Sequence, residues 1–123
     1  MNNHDGARRR TQSISINATP EKVWDLITRI DTVGDWYDTW DRVDPVSTEP
    51  HLRAGMSFRL IRRHTGRDDE VAQCEVTELS EHTRLQWVQS MPHRPTTGVT
   101  FDLVTHPTDG TTELRQTRSW RTP

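Results

Sequence analysis

The last strand-like segment of the sequence carries two polar side chains on an otherwise apolar side. A period of two residues places Gln116 and Arg118 on one side together with Leu114 and Trp120. A guanidinium on an apolar surface is costly unless it meets an anion, a ligand oxygen or an acidic side chain. Because arginine stays protonated, Arg118 is not a base, and its chemistry is to bind a carboxylate, phenolate or developing enolate oxygen. Solvent contact and pairing with an acidic residue are the structural alternatives.

A second candidate group is the phenol of Tyr37, which follows Trp36 in a short aromatic segment. At the mouth of a cavity this phenol would donate a hydrogen bond to a carbonyl or a proton to a reacting oxygen. Amphipathic packing is the alternative role of a tyrosine at such a position. The two predicted catalytic residues are therefore Arg118 and Tyr37.

Four tryptophans, Trp36, Trp40, Trp87 and Trp120, form the sharpest pattern in the sequence. Aromatic walls stack flat molecules without strict hydrogen-bond demands, so the pattern predicts a cavity for a planar or polycyclic apolar ligand. Core packing is a compatible alternative explanation. The predicted ligand-binding residues are Trp36, Trp40, Phe58, Trp87, Gln89, Phe101, Gln116 and Trp120.

The sequence lacks the residue patterns that several other kinds of chemistry require. The six histidines are scattered, with none two to four residues from another, so no local metal site is expected, and no cofactor motif is recognised. His93, in a proline-rich loop, is a candidate for proton transfer or a solvated side chain. The single cysteine, Cys74, excludes an internal disulfide and fits a small core residue on a strand.

Two helices and several strands are needed to position these groups. Alternation of Ile14 and Ile16 predicts a strand over residues 13–17. The Thr19-Pro20-Glu21 start and the apolar spacing that follows predict an amphipathic helix over residues 20–30. A second short helix over residues 35–40 would place Trp36 and Trp40 on one face.

The remainder of the chain has the pattern of strands and turns. Pro45 and Pro50 bracket a loop, and about five strands with period-two alternation follow. The predicted inward residues on these strands are Met56, Phe58, Leu60, Ala72, Cys74, Val76, Leu85, Trp87, Gln89, Val99, Phe101, Leu103, Leu114, Gln116, Arg118 and Trp120. Such an antiparallel sheet has one apolar face, which the helices must partly cover. The predicted fold class is therefore α+β.

Composition limits the classes of protein that remain. A chain of 123 residues is one domain, predicted over residues 13–123 after a flexible polar tail over residues 1–12. With 30% hydrophobic residues and a mean hydropathy of -0.90, the chain is expected to have neither a membrane span nor a signal peptide. We therefore expect a cytoplasmic protein. Basic and acidic residues are interspersed, and Arg8, Arg9 and Arg10 form the basic run, so no nucleic-acid partner is predicted.

The order and spacing of these segments resemble the START and Bet v 1-like superfamily, especially its bacterial polyketide cyclase/dehydrase-like branch. The opening residues 14–24, the tryptophans 36 and 40, the segments 52–58 and 76–87, and the hairpin 101–113 carry the resemblance. It implies a helix-grip fold, in which a curved antiparallel sheet wraps a long C-terminal helix and leaves a cavity for an apolar ligand. It also implies pocket arginine and tyrosine groups that promote aldol closure and loss of water.

One departure from that pattern is expected, because the sequence ends at Pro123, directly after the last strand. Without the closing helix, the concave face would expose Phe58, Trp87, Phe101 and Trp120, a larger apolar patch than a soluble monomer leaves bare. We therefore expect one of three explanations: a homodimer packed face to face, a partner protein that covers that face, or a chain that is artificially short at Pro123.

Three functions are compatible with these residues and with the resemblance. The first is a polyketide cyclase/dehydratase-like enzyme that shapes a chain in an aromatic pocket and polarises an oxygen with Arg118 and Tyr37. The second is a non-catalytic carrier of a lipid, quinone or hormone-like molecule. The third is a co-chaperone-like interaction module that docks a protein on the open sheet face.

Overall fold

The computed structural model describes residues 7–29, 32, 36–37, 40–45, 51–106 and 110–121. In these ranges the chain forms one α-helix and seven β-strands. Their bounds are β1 (Ala7–Ile16), α1 (Pro20–Thr28), β2 (Arg42–Pro45), β3 (Ser57–Arg62), β4 (Glu70–Ser80), β5 (Arg84–Ser90), β6 (Thr97–His106) and β7 (Thr111–Arg121). The predicted first strand, first helix and following series of strands are confirmed, with six strands after the helix where about five were predicted.

All seven strands belong to one curved antiparallel sheet in the order β1-β7-β6-β5-β4-β3-β2. Strands β2 to β7 lie side by side in chain order, and β1 pairs with β7 at the far edge. The register of β4 against β5 shifts between Val76 and Glu78. A bulge of this kind bends the strand and increases its twist, which helps the sheet curve around its core.

Helix α1 starts as the sequence predicts. The Thr19 hydroxyl accepts a hydrogen bond from the backbone N–H of Lys22 at 3.3 Å, and Pro20 occupies the first turn. The helix ends at Thr28, two residues before the predicted end at residue 30. There the Thr28 hydroxyl donates to the Trp24 carbonyl at 2.7 Å, and the Leu52 N–H donates to the Thr28 carbonyl at 2.7 Å. The chain before β3 thus satisfies a carbonyl that helix termination leaves open.

The core lies between α1 and the inner face of the sheet. Its buried residues include Val23, Trp24, Ile27, Phe58, Leu60, Ala72, Cys74, Val76, Leu85, Trp87, Val99, Phe101 and Leu103. Period-two alternation therefore identified the inner face of β3 to β6 correctly. Phe58, Trp87 and Phe101 are no more than 1% exposed in the single chain. The expectation that this chain leaves those three side chains bare is wrong, because they belong to the buried core, where Trp36 and Tyr37 pack against Phe101 and Tyr37 also packs against Trp87.

Two edge strands differ from the sequence prediction. Residues 7–12, predicted as part of a flexible tail, form the first half of β1 and pair with residues 116–121 of β7. Residues 42–45 form β2, in which Pro45, predicted to begin a loop, lies opposite Phe58. An edge strand keeps much of its surface in solvent and tolerates proline, so neither segment needs apolar alternation.

One predicted helix and two predicted turns remain to be compared with the structure. The second helix predicted over residues 35–40 and the turn predicted at Asp109 and Gly110 lie mostly outside the described residues. The turn predicted at residues 52–55 is confirmed, with Gly55 at a φ of 85° that favours glycine. In the described ranges no helix is both long and apolar enough to cross a membrane.

Candidate functional site

An aromatic cluster surrounds Tyr37 on the inner face of the sheet. The Tyr37 ring lies edge to face with Trp87 at 5.3 Å, with Phe101 at 5.8 Å and with Trp36 at 6.0 Å between ring centroids. Phe58 extends the cluster at 5.2 Å from Trp87. Edge-to-face contacts at these distances are favourable. Tyr37 is only 1% exposed, so the expectation of a phenol at the cavity mouth is wrong and the packing alternative describes its position.

The side chain of Gln89 links this cluster to the cavity beside it. Its Oε1 accepts from the Trp87 indole N–H at 3.2 Å and from the Tyr37 hydroxyl at 3.3 Å. An indole nitrogen only donates, so its partner must be the amide oxygen, which fixes the orientation of the Gln89 amide. The amide oxygen is thereby occupied by two buried donors, and the amide nitrogen is the group left for other partners.

Arg118 lies directly over this cluster. On neighbouring strands Trp87 pairs with Val99, and Val99 pairs with Arg118, so all three side chains share one row of the inner face. The Arg118 guanidinium carbon is 5.4 Å from the centroid of the Tyr37 ring, within the range of a cation–π contact. The inward orientation predicted for Arg118 is therefore the observed one, and the tyrosine face is part of what supports its charge.

A cavity of about 200 Å³ opens beside Arg118. Its described lining consists of Trp40, Arg62, Gln89, Met91, Arg94, Pro95, Thr97, Arg118 and Trp120. Gln89, Thr97 and Trp120 form the next row of the inner face through the pairs Gln89 with Thr97 and Thr97 with Trp120. On the opposite wall the Arg62 guanidinium carbon lies 4.3 Å from the Trp40 ring centroid. The cavity thus combines tryptophan surfaces with three cationic side chains.

A tight turn places Arg94 in the cavity lining. The Arg94 N–H donates to the Met91 carbonyl at 3.3 Å, with Pro92 and His93 between them. His93 has a φ of 62°, so the turn has the proline, positive φ and hydrogen bond of a type II turn. Met91, Arg94 and Pro95 line the cavity, whereas His93 is exposed and is not among its described lining residues.

One carboxylate lies behind two of these arginines. Glu70 Oε1 accepts from Arg62 Nη1 and His64 Nε2, each at 3.0 Å, and its Oε2 is 3.1 Å from Arg94 Nη2. Arg67 approaches His64 Nδ1 at 3.1 Å, which favours the tautomer that donates from Nε2 to Glu70. The hydrogen bond from His64, followed by the charges of Arg62 and Arg94, lowers the pKa of Glu70 against its partial desolvation.

Two depressions continue from the cavity along the inner face toward β1. The first, of about 120 Å³, is lined by Arg10, Gln12, Gln116 and Arg118, so Arg118 borders both spaces. The second, of about 550 Å³, lies beside Ile14 and Leu114. Ile14 is 60% exposed although its neighbour Ile16 packs against the core. The predicted strand alternation at Ile14 therefore holds, but its side chain faces this depression instead of packed core.

The structure sorts the predicted site residues into two groups. Tyr37, Trp36, Phe58, Trp87 and Phe101 form the packed cluster. Trp40, Gln89, Arg118 and Trp120 line the cavity, and Gln116 lies in the adjoining depressions.

Arg62 and Arg94 are cavity residues that were not predicted from the sequence. Arg62 continues the alternation of Phe58 and Leu60 by one more step, so the same period contained the signal for it. The Arg94 side chain reaches the cavity because of the turn at Pro92. The spacing of residues along the sequence gives no signal for that direction.

The described titratable groups away from the cavity have two environments, the surface and the core. Among the described residues no cluster of three or more histidine, cysteine or acidic side chains is placed to hold a metal ion. Cys74 is buried, as predicted, and burial raises the pKa of its thiol to about 12. A thiol held in that state is a poor nucleophile, so Cys74 belongs to the core and not to the reactive groups.

Solved structures share this fold. The aromatase/cyclase ZhuI from Streptomyces sp. R1128 aligns with a TM-score of 0.75 and 15% identity over 95% of this chain and 69% of its own. Ara h 8.0201 aligns with a TM-score of 0.74 and 11% identity over 95% of this chain and 78% of its own. Protein MLL2253 from Mesorhizobium loti aligns with a TM-score of 0.71 and 22% identity over 94% of this chain and 79% of its own. These similarities establish a Bet v 1-like helix-grip fold.

The family described as polyketide cyclase / dehydrase and lipid transport matches residues 8–122. The chain therefore belongs to this family, as the resemblance in its sequence indicated. No curated protein matches the sequence.

Proposed function

We propose that this protein binds a small hydrophobic molecule of aromatic or polyketide type between Trp40 and Trp120, and that it promotes cyclisation and dehydration of that molecule. The observation that carries the proposal is the cavity in which Arg118 and two tryptophans meet. Membership of a family whose description includes both polyketide cyclisation and lipid transport supports an apolar ligand. The name of ZhuI, an aromatase/cyclase, supports a cyclisation reaction.

The proposed chemistry is an intramolecular aldol reaction followed by loss of water. A methylene carbon of a polyketone attacks a ketone carbon of the same chain, the methylene proton ends on the new alkoxide, and elimination of water forms the double bond. Arg118 would hold the ketone oxygen and stabilise the negative charge that develops there. The tryptophan walls would hold the chain in the folded conformation that ring closure requires. Tyr37, predicted as a second catalytic group, would act by holding Gln89 and supporting Arg118.

The volume of the cavity limits the size of the ligand. Ligand sites commonly measure about 300–1,000 Å³, whereas this cavity measures about 200 Å³. A ligand larger than a small aromatic body would extend past Arg118 into the depression lined by Gln116 and Arg10. That direction follows the inner face toward β1 and gives a chain room to continue.

The test is the substitution Arg118→Ala, measured by quenching of tryptophan fluorescence with emodin, an aromatic polyketide. We expect affinity to fall by more than about tenfold, roughly 1.4 kcal/mol, because the ligand oxygens lose their cationic donor. Arg115→Ala is the matched control, since Arg115 lies on the same strand with an exposed side chain and bonds to Glu113 at 3.0 Å. Equal affinities for Arg118→Ala and the control would remove Arg118 from the site.

A non-catalytic carrier is the second candidate function. The described lining residues are arginine, glutamine, methionine, proline, threonine and tryptophan, and among these none is an effective general base at neutral pH. A carrier needs the cavity but no base. Native mass spectrometry of protein from its own host separates the candidates, because a co-purified unchanged apolar molecule favours a carrier. A doubled mass without ligand would instead favour a homodimer or an interaction module on the inner face.

A further inference from the structure

The amide of Gln89 has a fixed orientation at the edge of the packed aromatic cluster. Its Oε1 accepts from the Trp87 indole N–H at 3.2 Å and from the Tyr37 hydroxyl at 3.3 Å. The buried thiol of Cys74, whose raised pKa keeps it protonated, directs a weak third donor to the same oxygen at 4.0 Å. An indole nitrogen can only donate, so these contacts determine which end of the amide is the oxygen. Gln89 therefore directs its oxygen to the cluster and its nitrogen elsewhere.

The nitrogen of this amide has no acceptor in the described part of the chain. Every hydrogen bond that Gln89 forms with described residues uses its oxygen. The side chain is half-buried and lines the cavity beside Arg118. An amide nitrogen carries two N–H donors, and donors at a cavity wall are satisfied by water or by a ligand. Gln89 thus offers a ligand an uncharged donor whose position is set before the ligand arrives.

The other side chains that line the cavity supply few acceptors. Guanidinium and indole groups only donate, and methionine and proline offer at most a weak sulfur acceptor. The Thr97 hydroxyl donates to the Pro95 carbonyl at 3.5 Å. The indole N–H of Trp40 is buried and has no acceptor among the described residues. A ligand that complements this lining brings acceptor oxygens, and a ketone oxygen is an acceptor that carries no proton.

Gln89 and Arg118 reach this cavity from different places on the sheet. Arg118 on β7 shares a row of the inner face with Val99, whereas Gln89 on β5 begins the next row. Two strand spacings and one row separate their backbone positions, which amounts to about 12 Å. Two side chains that line one cavity from such positions can hold two different oxygens of the same ligand.

We propose that Gln89 is a specificity-determining residue of this cavity, and that its amide nitrogen donates to a carbonyl oxygen of the ligand other than the one that Arg118 holds. The inference rests on the proposed function and deepens it, because it describes the ligand of the same cavity as a molecule with at least two carbonyl oxygens. A second held carbonyl fixes which methylene carbon lies next to the ketone carbon at Arg118. Gln89 thereby selects the ring that closes.

The experiment compares 1,3-diacetylbenzene with 1-acetyl-3-isopropenylbenzene, a monoketone in which a C=CH2 group replaces one C=O group of the same shape. Binding is measured by NMR titration of isotope-labelled protein. A ketone loses more hydration on binding than an alkene does, so the informative quantity is the ratio of the two affinities, compared between the parent protein and its variants. Each ligand keeps one acetyl oxygen for Arg118.

The substitution Gln89→Glu removes the proposed donor and retains the acceptor. Its carboxylate keeps one oxygen toward Tyr37 and Trp87 and places a second oxygen where the amide nitrogen was, and at a pH of about 8 it carries no proton. We expect the affinity ratio of diketone to monoketone to fall about fivefold or more, equivalent to about 1 kcal/mol. Gln73→Glu is the matched control, because Gln73 is exposed on the neighbouring strand β4 and the same change there should leave the ratio unaltered.

A second measurement uses the parent protein and needs no substitution. The side-chain amide signals of Gln89 are identified by their contacts with the Tyr37 and Trp87 rings. They should move further on saturation with 1,3-diacetylbenzene than with the monoketone, because only the diketone brings a second acceptor. This measurement decides the question even where Gln89→Glu does not fold.

The outcomes that oppose the inference differ from those that oppose the proposed function. An affinity ratio that is the same in the parent protein and in Gln89→Glu would overturn the role of Gln89, while the cavity would still bind its ligand. Amide signals of Gln89 that respond equally to both ligands would overturn that role as well. Failure of both ligands to bind would count against the inference and against the proposed ligand cavity together.

Discussion

Replacing Gln89 by leucine should destabilise the protein through two buried donors at once. Gln89 Oε1 accepts from the Tyr37 hydroxyl at 3.3 Å and from the Trp87 indole N–H at 3.2 Å, and both aromatic residues are at most 1% exposed. The Trp87 indole N–H would lose its acceptor and the Tyr37 hydroxyl would lose one of its contacts, and a buried donor left without an acceptor costs about 1–3 kcal/mol. Leucine is similar in size and adds apolar burial, which offsets part of that loss. The expected loss in the free energy of unfolding for Gln89→Leu is about 1–3 kcal/mol.

A double-mutant cycle shows whether the loss comes from these donors. In a Tyr37→Phe background one donor is already absent, so Gln89→Leu should cost less there, by about 1 kcal/mol or more. Urea unfolding followed by circular dichroism measures all four proteins. Gln73→Leu is the control, because Gln73 is exposed on the neighbouring strand β4 and should change stability by less than about 0.5 kcal/mol. A Gln89→Leu cost equal to that control, or identical in both backgrounds, would refute the assignment of the amide as a shared acceptor.

Two further predictions concern groups with shifted pKa values. Because burial raises the Cys74 thiol pKa to about 12, the native protein should resist a thiol reagent at neutral pH and react only when unfolded; stoichiometric labelling of folded protein would contradict this. The pKa of Glu70 is lowered from 4.5 in the folded state, so its charge stabilises the fold above that pH, and this stabilisation disappears as pH falls through the lowered value. Glu70→Gln should therefore reduce the urea midpoint at neutral pH and converge with the parent protein in acid, and a constant difference at all pH values would rule out this linkage.

The sequence was informative wherever a strand has one buried and one exposed face. The alternating residues of β4, β5 and β6 identified the inner face correctly, because a period of two is a direct consequence of strand geometry. The same reasoning placed Arg118 and Trp120 on the side that borders the cavity. Thr19 and Pro20 located the start of α1 because helix capping is a local interaction.

The sequence was less informative where position depends on packing between distant segments. Residues 7–12 and β2 have few apolar residues to signal a strand, since an edge strand is held mainly by backbone pairing with its neighbour. The depth of Tyr37 depends on contacts with Trp87 and Phe101, which lie far along the chain. Local propensity and spacing carry no information about such contacts, so the buried phenol could not be distinguished from an exposed one.

The placement of β1 at the rim of an open sheet has a consequence for solubility. Among the described residues β1 pairs only with β7, which leaves a row of backbone groups on its other side. Such a row is a template on which identical molecules could stack into fibrils. Arg8, Arg9 and Arg10 are all exposed along it, and their mutual repulsion would oppose an identical strand aligning there. We therefore expect the arginine run near the start of the described chain to disfavour self-association into amyloid-like polymers.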